Sequence, residues 1–97
     1  MIAADRDSAA RLCHALAEEM HALEAMVEAL ATTLVSDPEL LDVYGTDLQA
    51  FDLLAQRAAE SGRLLARLAQ GMAPGEAVAG VRLERMQQRL QSALDAA

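Results

Sequence analysis

From Leu12 to Leu34 the large apolar residues recur at steps of three and four: Leu12, Leu16, Met20, Leu23, Met26, Val27, Leu30 and Leu34. At 100° per residue they fall in an arc of about 120°, the pattern of one buried helical stripe. A strand alternates every second residue and does not carry this spacing. The stripe therefore predicts a first helix over residues 8–34, about 40 Å long. Asp5, Asp7 and Ser8 are N-cap candidates and place negative charge at the positive end of the helix dipole. Arg11, His14, Glu18, His21 and Glu28 lie on the opposite face and should meet water.

After this helix, Ser36 or Asp37 followed by Pro38 is a restart signal, because proline suits a first helical turn. A short helical turn is expected over 38–43. Gly45 and Thr46 offer a second break, with Thr46 as N-cap; a helix continuous from Pro38 is the alternative. A long second helix is expected over 47–70, ended by Gly71. One side of it holds Leu48, Phe51, Leu54, Ala55, Ala58, Leu65 and Ala69, and another holds Leu53, Leu64 and Leu68. Two apolar sides call for two neighbours: the first helix, and either a third helix, another protomer or a partner. The stretch Gly71 to Gly80 reads as a linker with a turn-like or short helical segment. Leu83, Met86, Leu90, Leu94 and Ala97 set the stripe of a third helix over 82–94. The fold class is all-α: a long antiparallel helical hairpin plus a shorter third helix, in one domain of 97 residues. Two hairpins from two chains would make a four-helix bundle.

Charge and composition narrow the function. The net charge of −7 argues against nucleic acid and against anionic membrane surfaces. Tyr44 and Phe51 are the only aromatics, which leaves little to build a sheet. Cys13 has no second cysteine to pair with and reads as a small packed hydrophobe at the stripe's edge. The N-terminal residues show no apolar run of a secretory signal, and no stretch reaches the roughly 20 apolar residues of a membrane span. A cytoplasmic protein is expected.

Asp52 and Gln56 carry the chemistry. Their spacing of four puts both groups on one helical face, about 5–6 Å apart at Cβ, in a polar arc shared with Gln49 and Arg63. A carboxylate only accepts hydrogen bonds; an amide both donates and accepts. Together they can grip a cation on a partner and hold a water molecule. A glutamine that orients the attacking water is a recurrent device in phosphoryl transfer, where positioning and electrostatics supply most of the catalysis. The same spacing also serves as an ordinary helix-stabilising pair. Glu18-x-x-His21, with His14 a turn earlier, matches one element of a di-iron bundle, but the second such element is missing and the group faces water, so no metal site is expected. A phospho-accepting histidine is also disfavoured, because lysine is absent and Ala15, Leu16 and Ala17 follow His14.

The segment FDLLAQRA, with Asp52, three residues, Gln56 and then Arg57, resembles the CheZ-type phosphatases of bacterial chemotaxis. DLQAFDLLAQR looks most like their small CheT group, and the resemblance spans residues 38–70. It implies a phosphatase for a phospho-aspartyl response regulator of the CheY type. Gln56 would orient the hydrolytic water, and Asp52 would pair with the regulator's lysine. The regulator brings its own Mg²⁺, so the chain needs no cofactor. By position on the same helix, Gln49, Leu53 and Arg63 are expected to touch the regulator; a dimer interface explains Leu53 and Leu64 equally well, and a solvated outer face is the other reading of Arg63. Larger members carry a linker and a C-terminal regulator-binding helix that this sequence does not show. The competing reading is a non-enzymatic helical adaptor or secretion chaperone that binds a partner helix.

Overall fold

The computed structural model describes residues 3–96. They form α1 (Ala3–Ser36), α2 (Pro38–Tyr44), a 3-10 turn (Gly45–Asp47), α3 (Leu48–Ala69), α4 (Pro74–Ala79) and α5 (Glu84–Asp95), with no strand among the described residues. The all-α class holds, with the long helix pair and the shorter helices after it. No helix among the described residues is long and apolar enough to cross a membrane.

Asp37 divides the first two helices. Its backbone is extended (φ −113°, ψ 108°), and its carboxylate accepts from the backbone N–H of Glu39 at 3.0 Å and of Leu40 at 3.4 Å. Pro38 follows where a first-turn N–H needs no partner. The expected break at Gly45–Thr46 is a tightening into one 3-10 turn, with Gly45 in helical geometry (φ −57°, ψ −35°). Thr46 does not cap α3. Asp47 stands there instead, itself helical and without a side-chain cap bond. α1 starts at Ala3, so Asp5 lies inside its first turn. Gly71 ends α3 at φ 93°, a left-handed conformation that costs glycine nothing. Its N–H donates to the Leu68 carbonyl and that of Met72 to the Arg67 carbonyl, both at 3.1 Å, which closes a Schellman motif.

α1 and α3 run antiparallel: Ala10 shares a recess with Ala69, and Val35 shares another with Leu48. The face that α1 turns inward differs from the sequence expectation. Ala17 and Val27 are buried, and Ala10, Cys13, Met20, Glu24, Ala31 and Leu34 are half-buried. Leu12, Leu16, Leu23, Met26 and Leu30 are exposed, Leu12 and Met26 at 62%. The cause is how closely the helices approach. α3 offers Ala55, Ala58, Ala59 and Gly62 to the seam. A Cβ placed on Gly62 would stand 3.3 Å from the Met20 Cβ and 3.4 Å from the Ala17 carbonyl oxygen. Helices this close admit only small groups at the crossing, so the leucines turn out to form a ridge about 100° round α1 from the seam.

α3 has its second neighbour in the corner between α4 and α5. Ala77, Val78, Val81 and Met86 are buried there. Six residues cannot sustain a helix alone, and polar side chains close this one. Arg67 of α3 donates to the Ala77 carbonyl through Nε at 3.2 Å and Nη2 at 2.8 Å. The Gln87 amide donates to the Ala79 carbonyl at 2.9 Å.

Candidate functional site

The first half of α3 carries the polar arc. Ala55 is buried against α1, which fixes the rotation of the helix and leaves Asp52 and Gln56 exposed beside it. Gln56 Nε2 donates to Asp52 Oδ2 at 3.0 Å. That bond orients the amide: its carbonyl oxygen and second N–H stay available, and so do further lone pairs of Asp52. Asp52 borders a recess of about 260 Å³ with Val35, Leu48 and Phe51. Gln56 borders another of about 310 Å³ with Glu60, Arg63, Arg82 and Leu83. The pair therefore sits on a helix packed on two sides, between the α1 seam and the α4–α5 corner.

The other expected contact residues lie on the same stretch. Gln49 is exposed one turn before the pair, and Leu53 is 44% exposed. Arg63 is less free than the sequence suggests. Its Nε donates to Glu60 Oε2 at 3.0 Å, although its side chain keeps 41% of its exposure. The two histidines split apart: His14 Nε2 meets Glu18 Oε1 at 3.1 Å, while His21 Nδ1 lies 3.8 Å from Glu24 Oε2. Glu18 thus serves His14 rather than His21. Among the described residues no three His, Cys, Asp or Glu side chains gather as a metal-ligand set.

Glu60 is a residue that sequence reasoning missed. It is only 2% exposed. Oε1 accepts from the Arg82 backbone N–H at 2.8 Å and from Arg82 Nε at 3.2 Å, and Oε2 accepts from Arg63. Burial pushes its carboxyl upward, but the hydrogen bonds from Arg63 and Arg82 outweigh that and hold it below the usual glutamate range. Glu60 thus pins the start of α5 beside Gln56. Its only sequence signal is a carboxylate one turn beyond Gln56, on the edge of an apolar side.

The fold and the site define a helical hairpin that displays a pre-paired carboxylate and amide on a braced helix. Comparison with family models, curated proteins and solved structures found no match.

Proposed function

We propose that this chain is a cytoplasmic phosphatase of two-component chemotaxis signalling, which accelerates loss of the phosphoryl group from a phospho-aspartyl, CheY-type response regulator. The observation that supports the reading is the exposed Asp52–Gln56 pair joined at 3.0 Å. It agrees with the resemblance of FDLLAQRA to CheZ-type proteins.

The chemistry asks little of the chain. The Gln56 carbonyl accepts a hydrogen bond from water and holds it in line behind the phosphorus. The water oxygen bonds to phosphorus as the bond to the aspartyl oxygen breaks. The regulator's aspartate leaves as a carboxylate, and the water's proton passes to the phosphate. A loose transition state needs no strong base, so a neutral amide suffices. Asp52 does two jobs: one oxygen holds the Gln56 amide in place, and the other meets the regulator's lysine ammonium. The regulator supplies the Mg²⁺ that neutralises the phosphoryl oxygens.

A second copy of the chain completes the molecule in this reading. The ridge of Leu12, Leu16, Leu23, Met26 and Leu30 is a wet apolar face that a four-helix bundle would cover. The ridge side carries the recess of Leu23, Leu54 and Arg57, whereas Asp52 opens on the recess of Val35 and Leu48, so pairing on the ridge would leave Asp52 clear. The same ridge favours a second reading, a non-enzymatic adaptor in which another protein's amphipathic helix takes that place.

The test is decay of a phosphorylated CheY-type regulator in Mg²⁺ with purified protein. Gln56→Ala should keep its helicity and lose the acceleration by a factor of about 100 or more, the scale for a positioned group. Asp52→Ala should weaken docking as well as turnover. Unchanged acceleration by Gln56→Ala would rule the mechanism out and leave the adaptor.

A further inference from the structure

Arg57, Arg85 and Arg89 line one cleft of about 560 Å³ between α3 and α5, together with Gln88 and Ser92. The chain is acidic overall, with 15 Asp and Glu against eight Arg. Three of the other arginines are engaged inside the fold: Arg63 and Arg82 on Glu60, and Arg67 on the Ala77 carbonyl. The three in the cleft make no ion pair or side-chain hydrogen bond among the described residues, and no carboxylate lines the cleft. Glu84 stands near its rim but meets Gln88 at 3.5 Å. Positions 85, 88, 89 and 92 fall on one face of α5.

We infer that this cleft is the second docking surface for the response regulator and receives a carboxylate-bearing face of that protein. The inference rests on the phosphatase reading and says where else the regulator is held. Unpaired like charges repel one another until a partner of opposite sign arrives. A small anion would need convergent, desolvated donors, whereas all three guanidiniums here are exposed rim groups, the arrangement of a protein–protein contact. A phospho-aspartyl centre that holds Mg²⁺ does so through carboxylates, so its surroundings are acidic. Arg57 follows Gln56 but stands about 100° round α3 from it and also borders the recess of Leu23 and Leu54. Leu83 and Arg85, two residues apart at the start of α5, line the Gln56 recess and the arginine cleft respectively. A regulator seated on Gln56 reaches the cleft by straddling the first turn of α5.

The experiment compares wild type, Arg85→Gln/Arg89→Gln and Gln56→Ala in two assays with a CheY-type regulator: decay of its phosphorylated form, and direct binding of its beryllofluoride-loaded form. The double variant should raise KM about tenfold with kcat within about twofold, and should flatten the salt dependence of KM. Gln56→Ala should bind normally and fail only in turnover. Arg11→Gln, a matched charge removal on α1 away from the cleft, should leave KM unmoved. An active wild type with an unchanged KM in the double variant overturns the cleft and leaves the phosphatase standing. Wild-type binding that the double variant loses, without accelerated decay, upholds the cleft and sinks the phosphatase. A wild type that neither binds nor hydrolyses overturns both.

Discussion

Replacing Glu60 by alanine should unlatch α5 from α3. The carboxylate is 2% exposed and accepts three hydrogen bonds, at 2.8, 3.0 and 3.2 Å. Its loss orphans the Arg82 backbone N–H, at a cost of about 1–3 kcal/mol. The side chains of Arg63 and Arg82 keep 41% and 73% exposure, so they turn to water, and each lost pair costs at most about 1 kcal/mol. The sum is about 3 kcal/mol, which for a domain this small lowers Tm by roughly 12–24 °C. Glu60→Gln keeps an acceptor for the Arg82 N–H and should lose about half as much. The acid response separates charge from shape. The folded carboxyl sits below its unfolded value, so its stabilisation is complete above the ordinary glutamate pKa of about 4.3 and drains away as pH falls through the lowered folded value. Wild type should lose that share of stability on acidification below about pH 4.3, and Glu60→Gln should not. Thermal melts followed by circular dichroism across pH 3–7 measure both. A Glu60→Ala melt within about 3 °C of wild type would refute the reasoning.

Two further outcomes test the helix seam and the ridge. Gly62→Val sets its Cβ 3.3 Å from the Met20 Cβ and its branched methyls deeper into the seam, so it should destabilise the hairpin by about 1–3 kcal/mol in a denaturant titration, although glycine is itself a poor helix former. Leu23→Glu sets a charge in the middle of the exposed ridge and should convert a sedimenting dimer into a monomer; an unchanged sedimentation coefficient would show that the ridge is not where copies meet.

Much of this architecture was legible in the sequence. The Asp37–Pro38 restart, the Gly71 stop and the third helix all rest on local chemistry that acts within a few residues. The polar arc was legible too, because Asp52 and Gln56 at spacing four share a face whatever packs against the helix. The inward face of α1 was not. Its sequence holds two overlapping seams, one of leucines and one of small residues, which share Met20, Val27 and Leu34. Size favours the leucines as core. The choice was made by Gly62 and Ala58 on another helix, which bring the backbones too close for a leucine between them. Glu60 was hidden for a similar reason, since the N–H that justifies its burial belongs to Arg82, 22 residues away.

The leucine ridge would make stability depend on concentration. In the two-copy assembly proposed above, the bulkiest side chains of α1 find dry surroundings only when chains meet. Pairing then adds to the stability of the folded hairpin by mass action, and the melting temperature would climb as the protein is concentrated.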